Sequence, residues 1–521
     1  MTAWVQRSGA RPAAAPDVRF GWWLLAPACV AAVLAGLVVG RLASGSHPVL
    51  ALLLPLGLLP LLLWYRPAVG VLVLIAAAVT VEQFGYTVGP RDGAVTGQIP
   101  FFHSVSAGSG VTPAEIYLVV LVVIWVLRTV QRREQLFPRS RLAVQIGVLC
   151  GLAVLYLGVG VARHGDFKMG LWEVRPFLYL GLAYLLAASL LSAPGALRAV
   201  MWIMVLGSGL KALYGILIWF SIRHLQPRPE AVLAHEESFF FGLFVVLTLG
   251  LWVFRVRGPL RLVATGLLPL VLLADMVNSR RTAWAILGTS TLVMLLIAYV
   301  RRPNGRRALR RAGVVMLAVS AVYLPAFWSK EGTLAQPARA VRSVVAPDAR
   351  DEMSNQYRYV EDANLILNIQ GKHSTGTGFG LPINYIIGMV DLRSSVKALA
   401  YVPHNGVLYV WMRMGLLGEV AIWLMIMHGL MAAAKLSRHP DRETAMFAAL
   451  VAAAVVAYVI MGDKDMGFTW FRLAFCLGTM LGAVEARTRV WRAVPRPPVA
   501  IPAPQSESLL PPARPLVGSA R

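Results

Sequence analysis

LAVQIGVLCGLAVLYLGVG, residues 142–160, holds one amide side chain and no charge. An apolar stretch of roughly 18 residues or more is long enough to cross about 30 Å of hydrocarbon. Lipid offers the backbone no hydrogen-bond partner, so such a stretch satisfies its own amides as a helix. Similar runs recur on both sides, near 21–40, 49–64, 67–81, 113–130, 174–192, 196–220, 237–254, 261–277, 282–300, 312–328, 405–434, 445–461 and 466–486. The composition agrees, with 57% hydrophobic and only 14% charged residues and a mean hydropathy of +0.65. That is too little charge to coat a soluble globule of this size. The expected fold is all-α: a polytopic integral membrane protein of about 12–14 transmembrane helices.

The net charge of +24 raises nucleic acid as a partner, but its placement argues against one. Lysine and arginine gather in short connections: RTVQRREQLFPRSR (128–141), RVRGPLR (255–261), RRPNGRRALRR (301–311), KLSRHPDRE (435–443) and EARTRVWR (485–492). Simple alternation of the helices puts all five on one side, which the positive-inside rule makes cytoplasmic, along with both termini. The three cysteines, Cys29, Cys150 and Cys476, lie inside apolar runs and build neither a disulfide framework nor a zinc site. The basic N-terminus leads into a run without a convincing cleavage site and reads as a start-transfer helix.

These patterns divide the chain into a cytoplasmic tail (1–20), a helix bundle (21–328), a large extracytoplasmic loop (329–404), C-terminal membrane helices (405–486) and a disordered Pro-rich cytoplasmic tail (487–521). A second long outer connection spans about 82–112. Within the large loop, DEMSNQYRYVEDANLILNIQ (351–370) places Tyr357, Val360, Leu365 and Ile369 at helical spacing, as in an amphipathic helix at the membrane surface. A loop of that length beside a compact bundle is more often functional than decorative.

Three features of the expected outer face run against the charge pattern. Arg280 and Arg281 occupy a very short turn, NSRR, where an arginine either snorkels to headgroup phosphate or lines a cavity and holds an anion. Tyr357-Arg358 precedes STGTGFGLP (374–382), whose Gly376, Gly378 and Gly380 permit close backbone approach and could present amides to a phosphate. It is not a Walker A loop: no glycine stands at the required position upstream of GKHS (371–374). Finally, Pro403-His404-Asn405 runs directly into a membrane helix containing Gly415-Leu416-Leu417-Gly418. His404 reads either as a structural cap or as a base that the positive helix end keeps neutral.

This order of motifs resembles the O-antigen ligase and polymerase superfamily: a Ser-Arg pair between two helices, a large outer loop with Tyr-Arg and a Gly-x-Gly-x-Gly stretch, then His-Asn-x-x-Leu leading to Gly-Leu-Leu-Gly. The motifs cover roughly 270–430. The resemblance implies a glycosyltransferase-type ligase or polymerase in the cytoplasmic (inner) membrane. Its activity would be transfer of a glycan from a polyprenyl (undecaprenyl) diphosphate donor to a hydroxyl of a glycan, lipid or protein acceptor at the outer face, in polysaccharide and cell-envelope biosynthesis. By motif, Arg280, Arg358 and His404 match the two arginines and the loop histidine of the family. Many relatives carry an acid shortly before Gly-Leu-Leu-Gly where this chain has Met412-Arg413, a departure that bears on the acceptor.

The chemistry suits those residues. Forked guanidinium donors take up charge on a departing diphosphate, and a histidine accepts the proton of an attacking hydroxyl. No cluster with metal-ligand spacing accompanies them, so the expected transfer is metal-independent and needs no cofactor. Arg281, Asn405, Tyr357, Gly378, Gly380, Lys211, Arg175, Glu173 and Glu236 are the further candidates for substrate contact. Lys211, inside its helix, either reaches a lipid phosphate or pairs with an acid on a neighbouring helix. Asp463 and Asp465, in the turn GDKD, read as solvated. A transporter or flippase for a lipid-linked or anionic solute would use the same arginines without making a bond.

Overall fold

The computed structural model describes residues 62–83, 99, 101–102, 111–133, 137–225, 231–302, 305–389 and 397–493. The expected helix over 21–40, most of that over 49–64, both chain ends and most of the loop at 82–112 lie outside the described residues. Fourteen α-helices follow one another, and no strand occurs among the described residues. They are α1 (Pro67–Thr80), α2 (Pro113–Gln131), α3 (Arg141–Ala162), α4 (Phe167–Leu190), α5 (Ala196–Ile222), α6 (Glu237–Val253) and α7 (Pro259–Asn278). After these come α8 (Arg281–Arg301), α9 (Arg306–Phe327), α10 (Gln336–Val345), α11 (Ala349–Ile369), α12 (Gly406–Leu436), α13 (Arg442–Lys464) and α14 (Phe471–Ala493).

Nine of the described helices are long and apolar enough to cross a membrane, the architecture of a polytopic membrane protein; α1 and α6 are apolar but shorter. Their starts follow from ordinary capping. Thr112 and Glu115 form a reciprocal capping box at α2, and Ser140, Asp166, Asn405 and Asp441 cap α3, α4, α12 and α13. Asp166 starts α4 several residues before the apolar run that marks it in the sequence. The core lies around α4, α13 and α14, whereas α2 and α9 turn apolar side chains outward: Val119, Leu317 and Val322 are 61%, 72% and 72% exposed. A helix that is apolar on its outer surface is stable there only against lipid.

Contacts between connections separate the bundle into two ends, as alternation requires. At one end Arg302 donates to the Val253 carbonyl (2.7 Å), Arg301 to Ser437 (3.2 Å), Arg489 to the Ala188 carbonyl, and Arg198 pairs with Glu443. These are the basic connections. At the other end Asn278 meets residues 232–234, Arg281 meets 351–355, His235 meets Asp465, and Arg358 meets Lys464.

The segment 373–380 after α11 folds back between α3 and α12, and residues 384–387 bond to Asn364 and Asn368 of α11. Helix α12 is broken at Gly415 (φ 59°, ψ −163°), a conformation that strains any side-chain-bearing residue. The run 376–380 fills the break: a Cβ on Gly160 of α3 would lie 1.8 Å from the Phe379 carbonyl oxygen. Gly160→Ala therefore should lower stability by about 3 kcal/mol or more, or abolish folding. Gly158→Ala, with nothing within 4 Å of its new carbon, should fold normally. Thermal unfolding of the two variants in one detergent checks the pair.

Candidate functional site

The glycine run is committed to the protein. Thr377 N donates to the Met412 carbonyl (2.7 Å), Gly378 N to the Arg413 carbonyl (2.9 Å) and Phe379 N to the Tyr156 carbonyl (3.1 Å). Gly380 N donates to Glu173 Oε2 at 2.6 Å. This corrects the expected phosphate cradle. The amide of Gly378 closes the break in α12, that of Gly380 binds Glu173 of α4, and the positive φ angles of Gly376, Gly378 and Gly380 serve that packing.

Glu173, expected at a substrate, is buried beneath this run. Its Oε1 accepts from Arg413 Nε (2.8 Å) and from the Tyr409 hydroxyl (3.1 Å). Arg413 also donates to the carbonyls of Tyr401 (2.8 Å) and Gly378 (3.3 Å). Arg413 thus supplies the cation that neutralises Glu173. Three further buried candidates pair in the same way. Arg175 meets Glu115 of α2 at 2.8 Å, and Glu236 meets Arg472 of α14 at 2.6 Å. Lys211 is enclosed with Glu82 and lies 3.4 Å from Glu237, the ion-pair alternative of its two readings. Four of the substrate-contact candidates are therefore engaged inside the bundle.

His404 is placed differently. Helix α11 presents Glu361 to it: His404 N donates to Glu361 Oε2 at 2.9 Å, and His404 Nδ1 lies 3.1 Å from the same oxygen. The neighbouring residues pair in parallel. Asp362 bonds the side chain of Asn405, whose Oδ1 accepts from Val407 N and Leu408 N at 3.1 Å each. Tyr357, one turn before Glu361, sets its ring edge-on to the imidazole, 5.8 Å between centroids. Burial disfavours the charged ring, but the hydrogen bond and charge of Glu361, with Asp465 beyond, outweigh burial and the opposing charge of Arg358 and raise the His404 pKa above its ordinary value. This corrects the expectation of a histidine kept neutral by the helix end.

Cations gather beside this pair. Arg358, half-buried on α11, donates to the Lys464 carbonyl. Arg281 donates to Asn355 Oδ1 (3.2 Å) and Ser354 Oγ (3.0 Å), lies 3.5 Å from Asp351, and feels the charges of Arg358 and Arg339. Arg281 is thereby tied to the helix that carries Arg358; Arg280 is the half-buried N-cap residue of α8. Asp465 is buried and lies 2.5 Å from His235 Nδ1, which overturns its reading as a solvated residue, while Asp463 pairs with Lys464 at 2.8 Å. Burial works against a charged Asp465, yet His235, His404 and Arg358 hold its carboxyl well below the usual range. Among the described residues no three His, Cys, Asp or Glu side chains converge as a metal site would require.

No protein-family model matches the chain, and no curated protein matches it.

Of the sequence candidates, Arg281, Tyr357, Arg358, His404 and Asn405 meet at one end of the bundle. Glu361 is the member that sequence reasoning missed; Asp465 is the one it read as solvated, and His235 stands beside the candidate Glu236. A signal for Glu361 exists: it stands four residues after Tyr357 and three after Arg358, hence on the same helix face. Asp465 carries no such local sign. Glu361→Gln should lower the His404 pKa, because the amide keeps the shape and removes the charge. A histidine NMR titration checks this. The linkage follows in sign: with a raised folded pKa, the stabilisation from the charged pair is present below the unfolded value and is lost as the pH rises through the folded one.

Proposed function

We propose that this chain transfers a glycan from a polyprenyl diphosphate donor to an acceptor hydroxyl, as a metal-independent, O-antigen ligase-like glycosyltransferase. The reading places it in the cytoplasmic membrane with 12–14 spans and both termini inside. The basic end then faces the cytoplasm, and the segment 329–404 forms the extracytoplasmic loop. The observation that carries the reading is the grouping of arginines beside a carboxylate-supported histidine. Like charges held near one another are stabilised by an anion between them. Arg281 and Arg358 suit a diphosphate, which offers oxygens to both guanidinium forks.

In this mechanism the donor lipid enters from the bilayer and its diphosphate lies against Arg358 and Arg281, with Arg280 at the same turn. With His404 Nδ1 donating to Glu361, Nε2 is the free acceptor. It takes the acceptor hydroxyl proton as the new glycosidic bond forms. The bond from the anomeric carbon to phosphate oxygen breaks, and the electron pair leaves on the diphosphate, where the arginines hold the charge. Glu361 stabilises the resulting imidazolium, the task a carboxylate performs behind any histidine base. Tyr357 packs edge-on against the ring, and Asn405 holds the adjoining helix start.

The transporter alternative draws on the broken helix α12, since discontinuous helices carry binding sites in many transporters. Here the freed groups are already used: Leu416 N donates to the His373 carbonyl (2.9 Å), and the Met412 and Arg413 carbonyls accept from the glycine run. That leaves bond making as the reading the geometry favours.

Purified protein supplied with a polyprenyl diphosphate-linked glycan and an acceptor should release free polyprenyl diphosphate; a protein that moves the intact donor across the bilayer without releasing it is a flippase. His404→Ala should reduce release ~100-fold or more while the protein stays folded. Arg358→Lys should lose most of the activity, because an ammonium lacks the fork. Neutral His404 is the active form, so with its raised pKa the rate should fall as the pH drops through that value. Glu361→Gln should move this fall to lower pH.

A further inference from the structure

The NSRR turn does more than hold arginines. Asn278 is fully buried, its Oδ1 accepts from Leu233 N (2.8 Å) and Val232 N (3.3 Å), and its Nδ2 reaches the Ala234 carbonyl (3.5 Å). It fixes the backbone just before His235. From there His235 Nδ1 comes within 2.5 Å of Asp465 Oδ2, while Asp465 Oδ1 accepts from Met466 N at 2.9 Å. Among the described residues Nε2 of His235 makes no hydrogen bond, and the side chain is 37% exposed.

Among the described residues the charged groups around His235 are few. Asp465 and the Trp470 ring, 6.3 Å away, face it from the turn between α13 and α14. Asp465 is also within electrostatic reach of Arg358 on α11 and of His404 before α12. Glu236, its chain neighbour, is committed to Arg472, and Asp463 to Lys464. One buried carboxylate therefore stands among three groups that can be cationic, and Glu361 answers only His404. An anionic oxygen from outside would find forked and ring N–H donors there. The imidazole has its Nδ1 anchored and its Nε2 open, the arrangement in which a protonated ring donates outward.

We propose that His235, oriented by Asp465 and Asn278, is a third donor to the lipid diphosphate, acting through Nε2 beside Arg358 and Arg281. It rests on the diphosphate reading above. With Nδ1 held by Asp465, an N–H at Nε2 donates to a phosphate oxygen.

The test uses the full chain in lipid nanodiscs with undecaprenyl diphosphate as the ligand, its affinity measured for wild type and variants in one buffer. His235→Ala should weaken binding about tenfold, the loss of one hydrogen bond to a charged phosphate oxygen. His235→Arg should restore the affinity. Equal binding by wild type and His235→Ala overturns the proposal. So does a folded His235→Arg that fails to restore binding, which would make the histidine structural. Wild-type protein that binds no undecaprenyl diphosphate removes the diphosphate reading and His235 with it.

Discussion

Glu173 and Arg413 meet in the interior, 240 residues apart in sequence, with Gly380 N and the Tyr409 hydroxyl completing the carboxylate's partners. An ion pair in so dry a place gains little net stability, because desolvating both charges offsets most of their attraction. Removing one partner is another matter, costing about 3–5 kcal/mol for the charge left behind. The pair therefore acts chiefly as a specificity device. It ties α4, the glycine run and the first half of α12 into one node, and it does so at the place where α12 breaks.

The end of the molecule that carries His404 is built on that node. The run 376–380 holds the chain that returns from α11, and the break at Gly415 sets the direction of the short helical stretch headed by His404 and Asn405. Consecutive acids on α11, Glu361 and Asp362, then take consecutive residues of the loop, His404 and Asn405. Histidine and arginines thus stand on helices or on caps bound to helices. Rigid placement of this kind matters for transfer chemistry, in which the reacting groups need near-contact geometry before the bond changes.

Much of the scaffold was legible in the sequence because hydrocarbon imposes a simple rule: each span announces itself by length and lack of charge. Starts set by polar caps were less so, as at Asp166, where α4 begins in a mixed stretch. The site was legible only in part. His404, Arg358 and the NSRR turn stood out because polar residues at the ends of apolar runs are conspicuous. The partners that give them meaning did not, since Glu361 is one acid among several on α11, and Asp465 sits in a turn whose composition mimics solvent exposure. Glu173, Lys211 and Glu236 were singled out for the same conspicuousness, yet they find opposite charges across the bundle. A buried charge shows in a sequence; its partner, brought in by the fold from a distant helix, does not. The glycine run shows the same limit, because close approach to a phosphate and close approach to a neighbouring helix make one and the same demand on side-chain size.

The central claim is that a lipid-linked diphosphate sits among Arg358, Arg281 and His404. A cryo-EM structure of the protein in nanodiscs with undecaprenyl diphosphate tests it most directly. The account predicts paired phosphate density within hydrogen-bonding distance of Arg358 and Arg281, with the hydrocarbon tail leaving toward lipid at that end. Diphosphate density at the opposite end, among Arg301, Arg302 and their neighbours, would contradict it.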